Sequence, residues 1–269
     1  MLTCCVLSGL LGLCIGSFLN VLIDRLPKKE RITGRSYCPY CKKKLAWYEL
    51  IPLFSFIFLG GKCSSCKKPI SLQYPLVEFA TGILFALTTC SSSSQLSTFN
   101  LQNFLVLCCL LLIISCLIVI SVSDFKYYIV SDEIIYPAIF LALVYQIISN
   151  IQYLISDSCN LLSTIQYPLL SALGAAAFFL LILLVTRGKG MGIGDVKISA
   201  FIGLFLSFPN ILVALFLAFF SGSVIGLILV ALKKKKLKSK LPLATFLAPA
   251  TYIAFFWGER IIEWYSISF

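Results

Sequence analysis

Long apolar runs alternate with short polar segments along nearly the whole chain. A helix needs about 20 mostly apolar residues to cross roughly 30 Å of hydrocarbon. Eight runs fit this pattern, at 3–23, 73–90, 104–122, 134–150, 167–186, 198–208, 210–232 and 242–258. The sixth run is short, so we expect a half-length or strongly tilted segment that turns at Pro209-Asn210. The pattern predicts an all-α integral membrane protein with about eight transmembrane helices.

One polar stretch, at about 28–72, is long enough to form a small domain, and it lies between the first two runs. A segment of this size buries too little apolar surface to fold well unaided, so we expect a cross-link within it. The chain therefore divides into a first transmembrane span at 1–27, a polar domain at 28–72 and a multi-span region at 73–269.

The basic residues lie almost entirely in alternate connections between the apolar runs. Of the 22 Lys and Arg residues, 21 lie after the first, third, fifth and seventh runs, and Arg260 lies in the tail. Because basic loops stay in the cytoplasm, this asymmetry predicts a cytoplasmic polar domain and both termini outside. The basic run at 233–240 is then an anchor to lipid headgroups. The net charge of +11 thus indicates the lipid bilayer as a partner, and we expect no binding to nucleic acid.

The 269-residue chain contains no histidine. This absence excludes Ser-His-Asp and Cys-His hydrolases, HExxH metalloproteases and metal sites with His ligands. Proton transfer near neutral pH must therefore come from carboxylates, Lys, Tyr or Cys.

Four of the twelve cysteines form two CxxC pairs in the polar domain, Cys38-Pro-Tyr-Cys41 and Cys63-Ser-Ser-Cys66, with 21 residues between the pairs. Two such turns present four thiolates to one cation, so the spacing predicts a structural zinc site that holds the domain together. The alternative is two disulfides, which a reducing cytoplasm disfavours. The other eight cysteines lie mostly inside apolar runs, and those that approach the outer face allow an external disulfide: Cys4, Cys5, Cys90 and Cys159.

Two aspartates lie at the cytoplasmic edge of the predicted bilayer. Asp124 ends the third apolar run, and Asp195 follows Gly192 and Gly194 just before the sixth. Ionisable groups near membrane depth are costly and mark functional sites. Two facing carboxylates share one proton, so that one acts as an acid and the other as a base that activates water. The alternative is structural: Asp124 caps the fourth span, and Asp195 caps the sixth and pairs with Lys197 or Lys189.

Two further functions use the same features. Intramembrane aspartates and glycine-broken helices also occur in proton- or cation-coupled transporters. Against this alternative, the two acids lie near the cytoplasmic edge and the halves of the chain show no internal repeat. A non-catalytic membrane assembly factor built around the zinc domain is a third interpretation.

In their order and spacing, these motifs resemble the bacterial prepilin peptidases, also called type IV leader peptidases. The matching stretches are GSFLNVLIDRLP at 16–27, CPYC at 38–41, LAWYE at 45–49, IPL at 51–53, CSSC at 63–66, IS at 70–71, YPLVE at 74–78, GIGDVK at 192–197 and PLATFLA at 242–248. Asp124 falls at the position of the family's first catalytic aspartate, and Asp132 at that of a downstream acid. The family usually has proline before that acid, where this chain has Ser131.

The resemblance implies a multi-pass aspartic endopeptidase of the bacterial inner membrane. Such an enzyme cuts the short basic leader from type IV prepilins or pseudopilins, after a Gly. Asp124 and Asp195 are then the catalytic pair, with Gly192, Gly194 and Lys197 shaping the loop that meets the substrate. Many long family members also methylate the new N-terminus with S-adenosylmethionine, which the resemblance extends to this chain. The sequence leaves the oligomeric state open.

Overall fold

A computed structural model describes residues 2–92, 100–150, 161–188, 191–233 and 241–268. Its α-helices are α1 Leu2–Arg25, α2 Phe54–Phe58, α3 Gln73–Ser91, α4 Leu101–Tyr127, α5 Asp132–Ser149, α6 Leu161–Val185, α7 Ile193–Leu206, α8 Asn210–Ala231 and α9 Ala244–Ser268. Short 3-10 helices cover Leu26–Lys28 and Trp47–Leu50. The described residues contain no strand beyond two isolated β-bridges in the polar domain, so the predicted all-α class is confirmed.

A helix lies at each of the eight predicted positions, and six of them are long and apolar enough to cross a membrane: α1, α3, α4, α5, α6 and α8. Helix α7 has 14 residues, about 21 Å, and is therefore shorter than the hydrocarbon layer. Helix α9 continues about ten residues beyond the predicted end of its span. Neither α7 nor α9 is among the six described helices that are long and apolar enough to cross a membrane. The chain is a multi-pass membrane protein.

The chain forms two compact units, residues 1–119 and 120–269. In the first unit, α1 and α3 pack antiparallel at very short range. A Cβ on Gly16 would lie 2.7 Å from the Glu78 Cα, so only glycine allows this approach. A disulfide joins Cys5 at the start of α1 to Cys90 at the end of α3. Cys4 is a free thiol, and Cys159 lies outside the described residues.

In the second unit, α7 packs against α5 and α6, and α8 packs against α9. The end of α7 has a specific partner on α5. The Gln146 Nε2 donates to the carbonyls of Leu204 at 2.9 Å and Phe205 at 3.0 Å and to the Ser207 hydroxyl at 3.2 Å. The last carbonyls of a helix lack partners within it, and leaving them unpaired in a bilayer is costly. Gln146 therefore allows α7 to end where it does.

Candidate active site

Asp124 lies within the last turn of α4, and its side chain is only 7% exposed. The backbone N–H groups of Ala244 and Thr245, in the first turn of α9, donate toward its carboxylate. The start of a helix carries partial positive charge, so this arrangement offsets part of the cost of burying the charged carboxylate near Asp195. Its Oδ2 atom is buried and has no hydrogen-bond partner among the described residues.

A pair of hydroxyl groups fixes α4 against α9 beside this carboxylate. The Ser121 Oγ donates to the Thr245 carbonyl at 3.3 Å, and the Thr245 Oγ1 donates to the Ser121 carbonyl at 3.2 Å. Ser121 lies three residues before Asp124 on α4, and Thr245 itself supplies one of the backbone N–H groups that donate toward the Asp124 carboxylate. The sequence analysis missed both residues, although Thr245 lies in the proline-containing stretch at 242–248 that resembles the family.

Asp195 lies in the first turn of α7 and is half-buried. Its Oδ2 accepts the backbone N–H of Gly192 at 3.0 Å, which is the geometry of a helix N-terminal cap. The Asp195 carboxylate is also close enough to Asp124 to interact with it electrostatically. The structure therefore brings the two predicted catalytic acids together at the ends of two helices.

The two glycines before Asp195 differ in their surroundings. A Cβ on Gly194 would lie 3.1 Å from the Cβ and Cγ2 of Val130, which follows α4. Gly192 has extended backbone with φ −94°, and a Cβ there would meet its nearest atom at 3.9 Å. Close approach of α7 to the α4–α5 connection thus depends on Gly194, while Gly192 is exposed and leaves the space beside Asp195 open.

Lys197 pairs with Asp132 across the same connection. Its Nζ lies 2.6 Å from the Asp132 Oδ1 and 5.3 Å from the centre of the Tyr136 ring. This ion pair joins the second turn of α7 to the first turn of α5. Hydrogen bonding to Asp132 raises the pKa of Lys197 above its usual value.

The structure tests the alternative in which Asp124 and Asp195 only cap helices. Asp124 does not cap α5, because it belongs to α4 and Ser131 occupies the cap position. Ser131 has φ −74°, a value that proline also adopts, so the departure from the family pattern leaves the start of α5 in place. Asp195 does cap α7, but Lys197 pairs with Asp132 instead. Lys189 lies outside the described residues.

The four predicted zinc ligands converge at a second site, within the first unit. The Sγ atoms of Cys38, Cys41, Cys63 and Cys66 all lie within 4.8 Å of one another, and the four cysteines are free thiols. Backbone N–H groups of Cys66 and Ser65 lower the pKa of the Cys63 thiol to about 6. A backbone N–H at Lys68 lowers the pKa of the Cys66 thiol, but burial and the neighbouring thiols outweigh it and raise that pKa to about 11. The donor set fits one tetrahedral soft-metal ion.

The two CxxC turns have matching backbone structure. In the first, the Cys38 N–H donates to the Lys43 carbonyl, and in the second the Cys63 N–H donates to the Lys68 carbonyl. Lys42 and Lys67 occupy equivalent left-handed positions with φ 59° and 56°. Each turn therefore presents its two thiols on one side, and the pair of turns forms the cluster.

Two family models match the chain: the bacterial peptidase A24 N-terminal domain at residues 10–92, and the type IV leader peptidase family at residues 111–227. The prepilin leader peptidase/N-methyltransferase of Pseudomonas aeruginosa is 31% identical over 95% of this chain and 91% of its own length. The protein of the same name from Bacillus subtilis is 32% identical over 94% of both chains. No solved structure matches the chain. On this evidence, the chain belongs to the type IV leader peptidase family.

Proposed function

We propose that this protein is a prepilin peptidase that removes the short basic leader from type IV prepilins or pseudopilins, using Asp124 and Asp195 as a two-aspartate catalytic pair. The observation that carries the proposal is the meeting of these two acids at the ends of α4 and α7. The names of the relatives support the substrate, and the absence of histidine in the chain leaves carboxylates, Lys, Tyr or Cys to transfer the protons.

In the proposed mechanism, one aspartic acid is protonated and the other is charged. The charged carboxylate takes a proton from a water molecule, whose oxygen attacks the scissile carbonyl carbon. The protonated partner donates to the carbonyl oxygen as the tetrahedral intermediate forms. Collapse of that intermediate breaks the C–N bond. The departing amine takes the proton that the first carboxylate accepted from water, and a hydroxyl of the intermediate returns a proton to the second carboxylate as the new carboxyl group forms.

Asp124 is the better candidate for the charged base. Its buried Oδ2 atom has no hydrogen-bond partner among the described residues and is available to accept the proton. Asp195 then serves as the acid, in the first turn of α7, which Gly194 allows to lie close to Val130. Gly192 and Lys197 complete the proposed substrate-facing surface at the start of α7: Gly192, just before the helix, leaves room for an extended chain, and Lys197 fixes the start of the helix to Asp132.

We assign a structural Zn²⁺ ion to the four-cysteine cluster. With all four positions taken by thiolates, the ion has no open coordination position for substrate, so its contribution is to the folding of residues 28–72. The peptidase chemistry requires nothing from it.

The proposed topology places the zinc domain and both aspartates on the cytoplasmic side, and both termini outside. The distribution of basic residues supports this orientation. The disulfide between Cys5 and Cys90 also supports it, because it lies at the ends of α1 and α3 that are distant from the zinc domain. Disulfides persist outside the reducing cytoplasm, whereas thiolate metal sites are found within it.

A second activity is proposed on the names of the relatives, which include N-methyltransferase. Such an enzyme would methylate the new N-terminal amine with S-adenosylmethionine. The described residues present no recognisable glycine-rich cradle for a nucleotide, so the relatives' names are the support. Mass spectrometry of the mature pilin N-terminus tests it, since an unmethylated residue would reject this activity.

The peptidase proposal is tested by incubating the purified, detergent-solubilised protein with a synthetic prepilin. We expect a mass loss equal to the leader, with cleavage after Gly. A proton- or cation-coupled transporter would leave the prepilin intact and would instead show ion-driven uptake in vesicles. Intact prepilin under conditions in which a relative cleaves it would reject the peptidase function.

A further inference from the structure

The zinc domain carries an exposed apolar segment that is unusual for a polar domain. Residues 47–58, which we call the aromatic segment, comprise the 3-10 helix Trp47–Leu50, a short connection and α2. The Trp47 side chain is 79% exposed and the Phe58 side chain 84%, and Tyr48, Phe54 and Ile57 are also exposed. Exposed apolar surface of this kind marks an interaction site.

The aromatic segment is tied to a membrane-spanning helix. The backbone N–H of Leu53 donates to the Glu78 Oε2 at 2.9 Å. Glu78 is buried on the second turn of α3, about 8 Å along the helix from its first residue. Leu53 also has φ 61°, which residues other than glycine rarely adopt, so the surrounding contacts must hold this turn in place. The segment is therefore held beside the end of α3, where a membrane helix meets the bilayer surface.

Basic residues flank the aromatic segment on both sides in the sequence. The two CxxC turns of the same domain expose six lysines: Lys42, Lys43, Lys44, Lys62, Lys67 and Lys68. Aromatic side chains flanked by cations are typical of the membrane–water interface, where rings enter the headgroup layer and cations meet anionic lipid. The same lysines would repel a basic leader peptide, so charge complementarity favours lipid over that substrate.

We propose that the aromatic segment is an interfacial anchor that inserts Trp47, Phe58 and their exposed neighbours into the headgroup region of an anionic bilayer. Six lysines then face the lipid phosphates, and the zinc domain lies against the membrane surface. This inference concerns the zinc domain alone, and it stands whether or not the chain cleaves prepilins.

Tryptophan fluorescence tests the anchor directly. The chain has three tryptophans, and changing Trp257 and Trp264, both in α9, to Phe leaves Trp47 as the reporter. The zinc-loaded full chain is placed in nanodiscs of phosphatidylglycerol and phosphatidylethanolamine, with or without lipids brominated near the headgroup. We expect the brominated lipids to reduce Trp47 fluorescence at least about twofold, and aqueous acrylamide to quench it weakly, as for a residue at the interface.

The matched control moves the reporter within the same domain. In the same background without Trp257 and Trp264, Trp47→Phe combined with Tyr40→Trp places the only tryptophan in the first CxxC turn, where Tyr40 is 57% exposed. This tryptophan should respond to acrylamide more strongly than Trp47 does, and to brominated lipid more weakly, because Lys68 beside it meets the phosphates outside the layer that the rings enter. A Trp47 signal that is fully open to acrylamide and unaffected by brominated lipid would overturn the proposal. Protection of Trp47 only after prepilin is added would also overturn it, and would assign the surface to substrate.

Discussion

Two buried carboxylates, one in each unit, have opposite surroundings. Glu78 in the first unit accepts the Leu53 N–H and holds the aromatic segment in place. Asp124 in the second unit has one buried oxygen without a hydrogen-bond partner among the described residues, and a second acid beside it. A satisfied buried carboxylate contributes to structure, whereas an unsatisfied one next to a like charge is costly and persists at functional sites. The contrast separates Glu78, which holds a segment in place, from Asp124, which we propose to be catalytic.

The largest effect outside the catalytic pair is expected from the zinc cluster. Cys38→Ser or Cys63→Ser should remove the bound metal, because each change deletes one of four thiolate ligands. Residues 28–72 should become sensitive to protease, and prepilin cleavage should fall at least about tenfold through lost folding. Metal analysis and limited proteolysis measure these effects.

Cys14→Ser is the matched control, since Cys14 is an exposed free thiol in α1. It should leave metal content and cleavage unchanged. Full zinc content in Cys38→Ser would contradict the four-thiolate site.

The next largest difference in activity is expected between variants of the two glycines before Asp195, Gly192 and Gly194. Gly194→Ala should lower kcat about tenfold, because its Cβ pushes against Val130 and displaces Asp195 from Asp124. Gly192→Ala should stay within about twofold of the parent, since its Cβ has space. Steady-state cleavage of a prepilin peptide measures both. Equal rates for the two variants would show that close approach at Gly194 does not position the acid.

The hydroxyl pair between α4 and α9 predicts a smaller effect. Thr245→Val removes the hydrogen bond to the Ser121 carbonyl and should lower kcat about fivefold with KM nearly unchanged, because the start of α9 would no longer be held against Asp124. Thr245→Ser keeps the hydroxyl and should restore most of the rate. If Thr245→Ser is as slow as Thr245→Val, the hydrogen bond does not explain the defect.

The smallest effect on chemistry is expected at Glu78. Glu78→Leu leaves the Leu53 N–H without its acceptor and should cost about 1–3 kcal/mol of stability. Glu78→Gln retains an acceptor oxygen and should cost less. Thermal unfolding in detergent measures the stability, and kcat per folded molecule should stay near the parent value in both variants. If Glu78→Gln lowered kcat as much as a change at Asp124 does, the distinction between a structural Glu78 and a catalytic Asp124 would be lost.

The long apolar runs located the helices, because a membrane span is defined by its apolar composition. The runs predicted the helix ends less accurately, because a helix ends where its backbone hydrogen bonds end and not where the apolar residues do. Asp195 falls inside α7, although its glycines suggested a loop before the helix. Helix α9 continues through Glu259, Arg260 and Glu263, because a helix outside the hydrocarbon no longer requires apolar residues.

The candidate site was only partly predictable. Motif spacing identified Asp124, Asp195 and the four clustered cysteines. Ser121, Thr245 and Gln146 act through contacts between helices that are distant in the sequence, and a lone Ser, Thr or Gln in an apolar run gives no local signal. The pairing of Cys5 with Cys90 likewise needed the antiparallel arrangement of α1 and α3, because four cysteines near one face allow several pairings.

The central claim is that Asp124 and Asp195 together carry the proton transfers. Its most direct test is single-turnover cleavage of a synthetic prepilin by Asp124→Asn and Asp195→Asn, each purified and shown to retain zinc and to bind the substrate. Both variants should lose at least about 10³-fold in rate, because an amide can neither take the proton of the attacking water nor donate one as an acid does. Cleavage by either variant at the rate of the parent protein would contradict the claim.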